Sequence, residues 1–249
     1  MENIKLYNDE IELIFDEAKH LYTVNGEPVT GVTGALQTIA KPALLYWAVN
    51  MAIQYLEKKW IPGVGYDEIQ IQKTLAEAKK AHRVFKKEAG DIGTLIHQWI
   101  EKWIKGEEPA TPVNEVMKKA TDSFLEWVDE FKIEFLHSER KVYSKKYGYA
   151  GTCDFVAKVH NETIVGDIKT SSGIYPEMHF QTAAYQQALQ EEFPDMKFEA
   201  NVIIRCGKDG TFEISETEDF DKNIKAFLGA LAIYNRQQDL KTKEMYGKK

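Results

Sequence analysis

The stretch Gly151–Tyr185, GTCDFVAKVHNETIVGDIKTSSGIYPEMHFQTAAY, decides the reading of this chain. It holds two short apolar runs, TCDFVAKV (152–159) and TIVGDIKT (163–170), joined by His160-Asn161-Glu162. Such runs, rich in β-branched and aromatic residues and bounded by Gly or polar residues, predict strands. The run from Met178 to Glu192 predicts an amphipathic helix that ends near Pro194. Side chains alternate across a strand, so Asp167 and Lys169 share one face while Ile168 turns toward the core. Lys169 then lies about 6–7 Å further along that face. A short hairpin brings Asp154 beside Asp167. Two acids and a lysine on neighbouring strands can hold a divalent cation next to a phosphate. Mg²⁺ and Mn²⁺ are hard cations that take carboxylates, carbonyls and water. Such an ion can activate a water, neutralise a phosphate and fix an in-line attack. In this arrangement Asp154 and Asp167 face the metal and the Ile168 carbonyl adds a ligand. Lys169 orients or deprotonates the water and offsets developing charge.

Outward from this stretch the chain reads as mixed α and β. IELIF (11–15) and HLYTV (20–24) predict a hairpin within residues 11–30, with Asn25-Gly26 as a turn. A helix is predicted from Thr30 or Thr33 to the break at Pro42, and another through LLYWAVNMAIQYLEKKW (44–60). Helical pattern returns from Asp67 to Lys105, with an interruption expected near Gly90-Asp91-Ile92-Gly93. Its last part sets Leu95, Ile96, Trp99, Ile100 and Trp103 near one stripe, and His97 with Glu101 on a second face. A further helix spans 113–131, with Val116, Phe124, Trp127, Val128 and Phe131 as its apolar stripe. FLHSERKVYS (135–144) is a strand; KFEANVIIRC (197–206) and TFEISET (211–217) form a hairpin about Lys208-Asp209-Gly210; a last helix runs from about 218 to 240. Helix, three strands, helix, strands is the order of an α/β core on a mixed sheet. The helical N-terminal region is expected to pack on that core or to wall its groove.

Composition narrows the classes. A 249-residue chain, 43% hydrophobic and 29% charged, can bury a full core. No run approaches a membrane span, and MENIKLYNDE is not a signal peptide. Cys153 and Cys206 make no disulfide framework and cannot alone hold zinc or an iron–sulfur cluster. A reducing cytosol is the expected compartment. The net charge of −7 argues against a protein that coats nucleic acid, although local cations suffice for backbone contacts. The basic clusters are 79–87 (Lys79, Lys80, Arg83, Lys86, Lys87), 140–146 (Arg140, Lys141, Lys145, Lys146) and the tail (Lys241, Lys243, Lys248, Lys249). Each alone reads as a solvated face.

Acid-x-Lys by itself is a weak signal. It also occurs at Glu17, Glu57, Glu77, Glu130, Glu139 and Asp195. Asp167-Ile168-Lys169 stands out by context: it ends an apolar strand, follows a strand bearing Asp154 after Gly-Thr, and precedes a helix. The set Gly151-Thr152-Cys153-Asp154, Asp167-Ile168-Lys169 and Gln181-x-x-x-Tyr185 resembles the RecB-like branch of the PD-(D/E)xK nuclease superfamily. Gly93-Thr94-Leu95-Ile96-His97 resembles that branch's Gly-x-x-x-His helix. The resemblance covers roughly residues 90–205. It implies a restriction-endonuclease-like fold, with His97, Asp154, Asp167 and the Ile168 carbonyl as metal ligands and Lys169 as the catalytic lysine. Gln181 and Tyr185 support the site and contact DNA. Glu139 matches an acidic position of some relatives, and Thr170, directly after Ile168-Lys169, joins the supporting residues.

Two departures shape the expectation. The cluster-binding cysteines of many relatives are absent, so no iron–sulfur cluster is expected. No GxxxxGK[ST] loop is present, so no nucleotide is expected and any unwinding ATPase is a separate protein. The expectation is therefore an N-terminal hairpin and helical region (1–88) on a nuclease core (89–249). It acts as a Mg²⁺- or Mn²⁺-dependent deoxyribonuclease, an exonuclease on single-stranded DNA or DNA ends, in the cytoplasm of a bacterial or phage-infected cell. A separate helicase or recombinase is the expected protein partner. The alternatives are a structure-specific or nicking endonuclease, and a non-catalytic DNA-binding recombination partner. A lone helical histidine is more often packed than ligating. Trp99, Trp103, Trp127 and Phe131 are read as core rather than as stacking platforms.

Overall fold

The structure is a computed structural model that describes all residues except Asp209 and 247–249, and omits the side chains at 88, 89 and 243–246. The centre of the expected Lys208–Gly210 turn and the tail lysines 243, 248 and 249 lie outside that description. In order the elements are β1 (Glu2–Leu6), β2 (Ile11–Asp16), β3 (Leu21–Val24), β4 (Glu27–Gly31), α1 (Val32–Leu36), α2 (Pro42–Lys59), α3 (Glu68–Ala78), α4 (Ala81–Ile104), α5 (Glu115–Phe131), β5 (Glu134–Ser144), β6 (Tyr149–Val159), β7 (Glu162–Lys169), α6 (Pro176–Glu192), β8 (Ala200–Cys206), β9 (Phe212–Thr217) and α7 (Phe220–Tyr246). Two compact units result, Met1–Ile39 with Ile96–Lys249, and Ala40–Leu95; the second boundary falls inside α4. Among the described residues no helix is long and apolar enough to cross a membrane.

The first unit is a mixed sheet flanked by helices, as expected for a restriction-endonuclease-like fold. Its order is β1-β2-β3-β4-β6-β7-β8-β9, with β5 paired to the other edge of β6. Most neighbours are antiparallel; β4–β6 and β7–β8 are parallel. Helices α1, α6 and α7 bury a core on the sheet around Val32, Tyr149, Val156, Val165, Leu189 and Phe227. Rings from α4, α5, β5 and β6 make an aromatic cluster of Trp103, Phe124, Trp127, Phe135 and Phe155. The N-terminal strands close on Leu6, Leu13, Phe15 and Val24 around Ala150.

Several expected elements move. Strands β1 and β4 flank the expected hairpin, and β4 joins the main sheet through Thr30↔Tyr149 and Gly31↔Ala150. α4 is unbroken through Gly90 and Gly93; the break falls at Lys79-Lys80 instead. Each interior Gly costs a helix only about 1 kcal/mol, which a 24-residue helix carries. On α5 the buried stripe is Met117, Ala120, Thr121, Phe124 and Trp127, while Phe131 is 38% exposed and is not core. α5 starts from an Asn114 cap on the Met117 N–H and stops at Lys132, which is left-handed.

One glycine is dictated by packing. Gly166 pairs with Phe155 across the β6–β7 ladder, and a Cβ there would meet the Phe155 ring at 1.9 Å. The ring lies over the space that any other side chain would fill, so a strand glycine that weakens β propensity is required here.

Candidate active site

The site forms where the sheet splits. One edge of β6 pairs with β4 at Tyr149–Ala150 and with β7 from Phe155 to Val159. Between these ladders, residues 151–154 have no strand partner on that edge among the described residues. Asp154 and Asp167 are the first residues beyond the Phe155↔Gly166 pair, one on each strand. The Asp154 carboxylate turns back and accepts the Ile168 N–H at 2.7 Å. Gly151 closes the gap: a Cβ there would lie 2.7 Å from the Tyr185 ring and 3.1 Å from Val32. Thr152 is tied to Tyr22 across 2.9 Å.

Strand alternation behaves as expected at the end of β7. Ile168 is buried at 3% exposure, and Asp167 and Lys169 share the opposite side. Lys169 folds back onto Asp167 in an ion pair instead of standing away along the strand. Its ammonium also donates to Gln181 Oε1 at 3.2 Å, and Gln181 Nε2 donates to the Tyr185 hydroxyl at 2.7 Å. One turn of α6 thus positions the lysine, and Tyr185, 2% exposed, anchors that turn. Tyr185→Phe should leave the Gln181 amide short of an acceptor and cost about 1 kcal/mol. Thermal unfolding should show this as a midpoint lowered by about 2–4 °C. An unchanged midpoint would mean that the bond does not position the turn.

His97, from the end of α4 that lies in the first unit, sets Nδ1 3.7 Å from Asp154 Oδ2. Burial pushes its pKa down to about 4, with Lys169 adding to the fall, so the ring is a neutral imidazole at physiological pH. The contact is therefore not an ion pair. Glu139 sits between Ser138 and Arg140, whose partners are Phe155 and Cys153, which places it across from Asp154. Its φ of 51° is unusual for a non-glycine residue in a strand. Thr170 lies half-buried just past β7.

The electrostatics are those of crowded acids. Burial raises the Asp154 carboxyl above its usual range, against the opposing pull of Lys169. Burial raises Asp167 to about 6, with Lys169 opposing and Asp154 adding. Glu139 is pushed to about 8 by burial and then by Asp154. Burial alone would lower Lys169, but Asp167 and Asp154 outweigh it and raise the ammonium. A cavity of about 340 Å³ adjoins, lined by Glu101, Glu139, Lys141, Glu2, Glu17 and Phe15.

The structure thus brings His97, Asp154, Asp167, Ile168, Lys169, Gln181, Tyr185 and Glu139 together. It adds Glu101, read from the sequence only as sharing a helix face with His97, and Lys141, read only as part of a basic cluster. Glu101 follows His97 by one helical turn and pairs with Lys105. Lys141, 7% exposed, pairs with Glu2 at 3.3 Å. Their signals were the four-residue spacing from His97 and the two-residue alternation from Glu139.

No family model matches the chain. No curated protein matches it either. Among solved structures, SSO0001 is similar over 46% of this chain and 57% of its own, at 16% identity and a TM-score of 0.29. LHK-Exo in complex with dAMP is similar over 61% of this chain and 84% of its own, at 12% identity and a TM-score of 0.32. A second structure of that alkaline exonuclease, from Laribacter hongkongensis, gives 11% identity over 60% and 84%, with a TM-score of 0.27. Likeness of this degree carries no argument about chemistry, and the site stands on its own geometry.

The donor chemistry of the site suits a hard divalent cation. Two carboxylates, a neutral imidazole and a backbone carbonyl are oxygen-rich ligands. Asp154, Asp167 and Glu139 all hold their protons more tightly than usual, first because they are buried; neighbouring carboxylates add to this, and Lys169 or Lys141 opposes it. Among the described residues no three His, Cys, Asp or Glu groups already converge as a metal cluster. Asp167 is engaged by Lys169.

Proposed function

We propose that this chain is a Mg²⁺- or Mn²⁺-dependent DNA nuclease that hydrolyses phosphodiester bonds. The observation that carries the reading is the assembly of Asp154, Asp167 and Lys169 where the β6 edge parts between β4 and β7, with His97 of α4 beside Asp154, in a buried pocket that raises both carboxyls. In this reading His97, Asp154, Asp167 and the Ile168 carbonyl hold the cation. A bound cation supplies Lewis acidity toward a phosphoryl oxygen and a more acidic water. The chain's own groups do the rest. Neutral His97 offers a lone pair without competing positive charge. Lys169 is held as an ammonium by Asp167 and Asp154, so its direct task is to neutralise charge and orient a water through its donors. Gln181 and Tyr185 fix that ammonium in place, and Glu139 borders the site on the cavity side.

The exonuclease mode and the preference for single-stranded DNA or ends belong to the resemblance with RecB-like nucleases. Both are tested by incubating end-labelled linear and closed circular single-stranded DNA with Mn²⁺ and with EDTA. Loss of label from linear DNA only, and only with metal, is the expected result. Cleavage of circles would assign an endonuclease. Absence of any metal-dependent cleavage would remove the nuclease reading and leave a DNA-binding recombination partner.

A further inference from the structure

The helical unit Ala40–Leu95 has a charge opposite to the rest of the chain. It carries nine Lys and Arg against six Asp and Glu, a net of +3, within a chain of net −7. The acidic balance lies in the unit that holds the carboxylate site. The positive excess is concentrated where α3 gives way to α4, at Lys79, Lys80, Arg83, Lys86 and Lys87, and all five side chains are exposed.

Arg83 and Lys87 lie four apart on one face of α4, Lys86 lies one turn from Arg83, and Lys80 sits in the turn just before the helix. None of the five side chains has a hydrogen-bond or ion-pair partner among the described residues. Some exposed lysines elsewhere are paired locally, Lys118 with Asp122, Lys132 with Asp129 and Lys222 with Asp219. Single lysines such as Lys73, Lys102 and Lys225 have no ion pair among the described residues, and the 79–87 cluster differs from them by gathering five cations in nine residues. Like charges at this spacing weaken a helix, so the cluster is a local cost without a local return. Exposed rings accompany it. Phe85 is 39% exposed and lies about 100° around α4 from Lys86, away from Arg83, and Tyr46 and Trp60 of the same unit are 71% and 41% exposed. Uncompensated cations meet phosphates, and exposed rings meet unpaired bases; together they are the chemistry of single-strand binding. An anionic bilayer would satisfy the cations but offers no bases to the rings, and a duplex keeps its bases stacked away from them.

We infer that the 40–95 unit is a binding surface for single-stranded nucleic acid, with Lys80, Arg83, Lys86 and Lys87 on the phosphates and the exposed rings of the unit, Phe85 among them, on bases where the strand passes round α4. This deepens the proposed function by naming the surface that recognises the substrate, and rests on it only for the kind of polymer expected. The test is fluorescence anisotropy of the full chain with a labelled oligothymidylate in EDTA, titrated over salt. The variant K80Q/R83Q/K86Q/K87Q should bind at least about tenfold more weakly near ~0.1 M salt. Its log–log salt slope should shrink by roughly 0.7 for each phosphate no longer neutralised, about 3 in all. The charge-keeping variant K80R/K86R/K87R should retain affinity and slope. Phe85→Leu should weaken binding severalfold with the slope unchanged. Circular dichroism and the melting midpoint check that each variant folds; K86Q/K87Q, with half the substitutions, serves if the fourfold variant does not. Wild-type hydrolysis of the small diester thymidine 5′-(p-nitrophenyl phosphate) with Mn²⁺ tests the Asp154–Lys169 site separately. A chain that binds the strand through these cations but leaves the ester intact keeps this inference and loses the proposed chemistry. Unchanged affinity and slope in the fourfold variant would overturn the inference, as would a loss confined to phosphatidylserine vesicles.

Discussion

Lys169→Ala is expected to cut phosphodiester turnover by about 10²–10³-fold or more, to leave Mn²⁺ binding largely intact, and to destabilise the fold at neutral pH. The catalytic loss follows from position. Lys169 is the cation in direct contact with Asp167, and Gln181 holds it there. Alanine removes the charge that would offset a phosphate and the donors that would orient a water. Mn²⁺ binding persists because the carboxylates and His97 remain. The stability loss follows from burial. Asp167 is 1% exposed, and its carboxylate has no other ion-pair partner among the described residues. Breaking a buried pair from one side costs about 3–5 kcal/mol; the lysine side chain is 21% exposed, so water takes up part of the loss and about 1–3 kcal/mol remains. Single-turnover cleavage of a labelled oligonucleotide, calorimetric Mn²⁺ titration and urea unfolding read the three effects. A variant that cut at the wild-type rate would remove Lys169 from the reaction. Lys169→Arg should restore part of the stability and little of the rate, since a planar fork cannot place its charge as a compact ammonium does.

How much of this was legible in the sequence depends on the range of the interaction. The hairpin of β6 and β7 and the shared face of Asp167 and Lys169 follow from period-2 alternation and a two-residue turn, and both stand in the structure. Helix α5 follows from apolar spacing; α6 was expected from Met178 as an amphipathic helix, but it starts at Pro176 and is buried on more than one face, from Thr182 to Gln186 without a break. The coming together of His97, Gln181 and Tyr185 with that hairpin was expected from the resemblance, because no local rule relates residue 97 to residue 154. The parallel pairing of β4 with β6 was not legible: two residue pairs, Thr30↔Tyr149 and Gly31↔Ala150, leave no periodicity to detect. Yet that pairing creates the split in which Asp154 finds the free Ile168 N–H. The folding of Lys169 onto Asp167 was also hidden. Alternation fixes a face, whereas the rotamer of a long side chain is set by tertiary charge. Gly90 and Gly93 misled because they are breakers by propensity, and a 24-residue helix carries a cost of about 1 kcal/mol each.

Asp167→Asn should change stability in the opposite direction from Lys169→Ala while abolishing the same reaction. Burial first, then the charge of Asp154, raises the Asp167 carboxyl from 3.8 to about 6 even though Lys169 pulls it down. The unfolded chain keeps the ordinary value. Below about pH 4 the group is protonated in both states and contributes no difference. Between about pH 4 and 6 the unfolded chain releases its proton while the folded chain keeps it, so stability falls as pH rises. Above about pH 6 the loss is complete, at about 3 kcal/mol for a raise of roughly two units. That raise already includes the attraction of Lys169, so it measures what the charge costs with its partner in place. Asparagine has nearly the same shape and no charge. In EDTA, urea unfolding should therefore find D167N about 2–3 kcal/mol more stable than wild type at pH 7.5 and equal to it near pH 4. Cleavage should fall by about 10²–10³-fold or more, because a neutral amide is a poor ligand and cannot balance Lys169. Mn²⁺ should raise the midpoint of the wild type and do much less for the variant. A variant with no stability gain at pH 7.5 would mean that the Asp167 charge is not a burden on the fold. If the gain is found, the fold carries at position 167 a charge that weakens it at neutral pH, and stability cannot be the reason that the acid is there. The chemistry with Lys169 and Asp154 then remains as the reason.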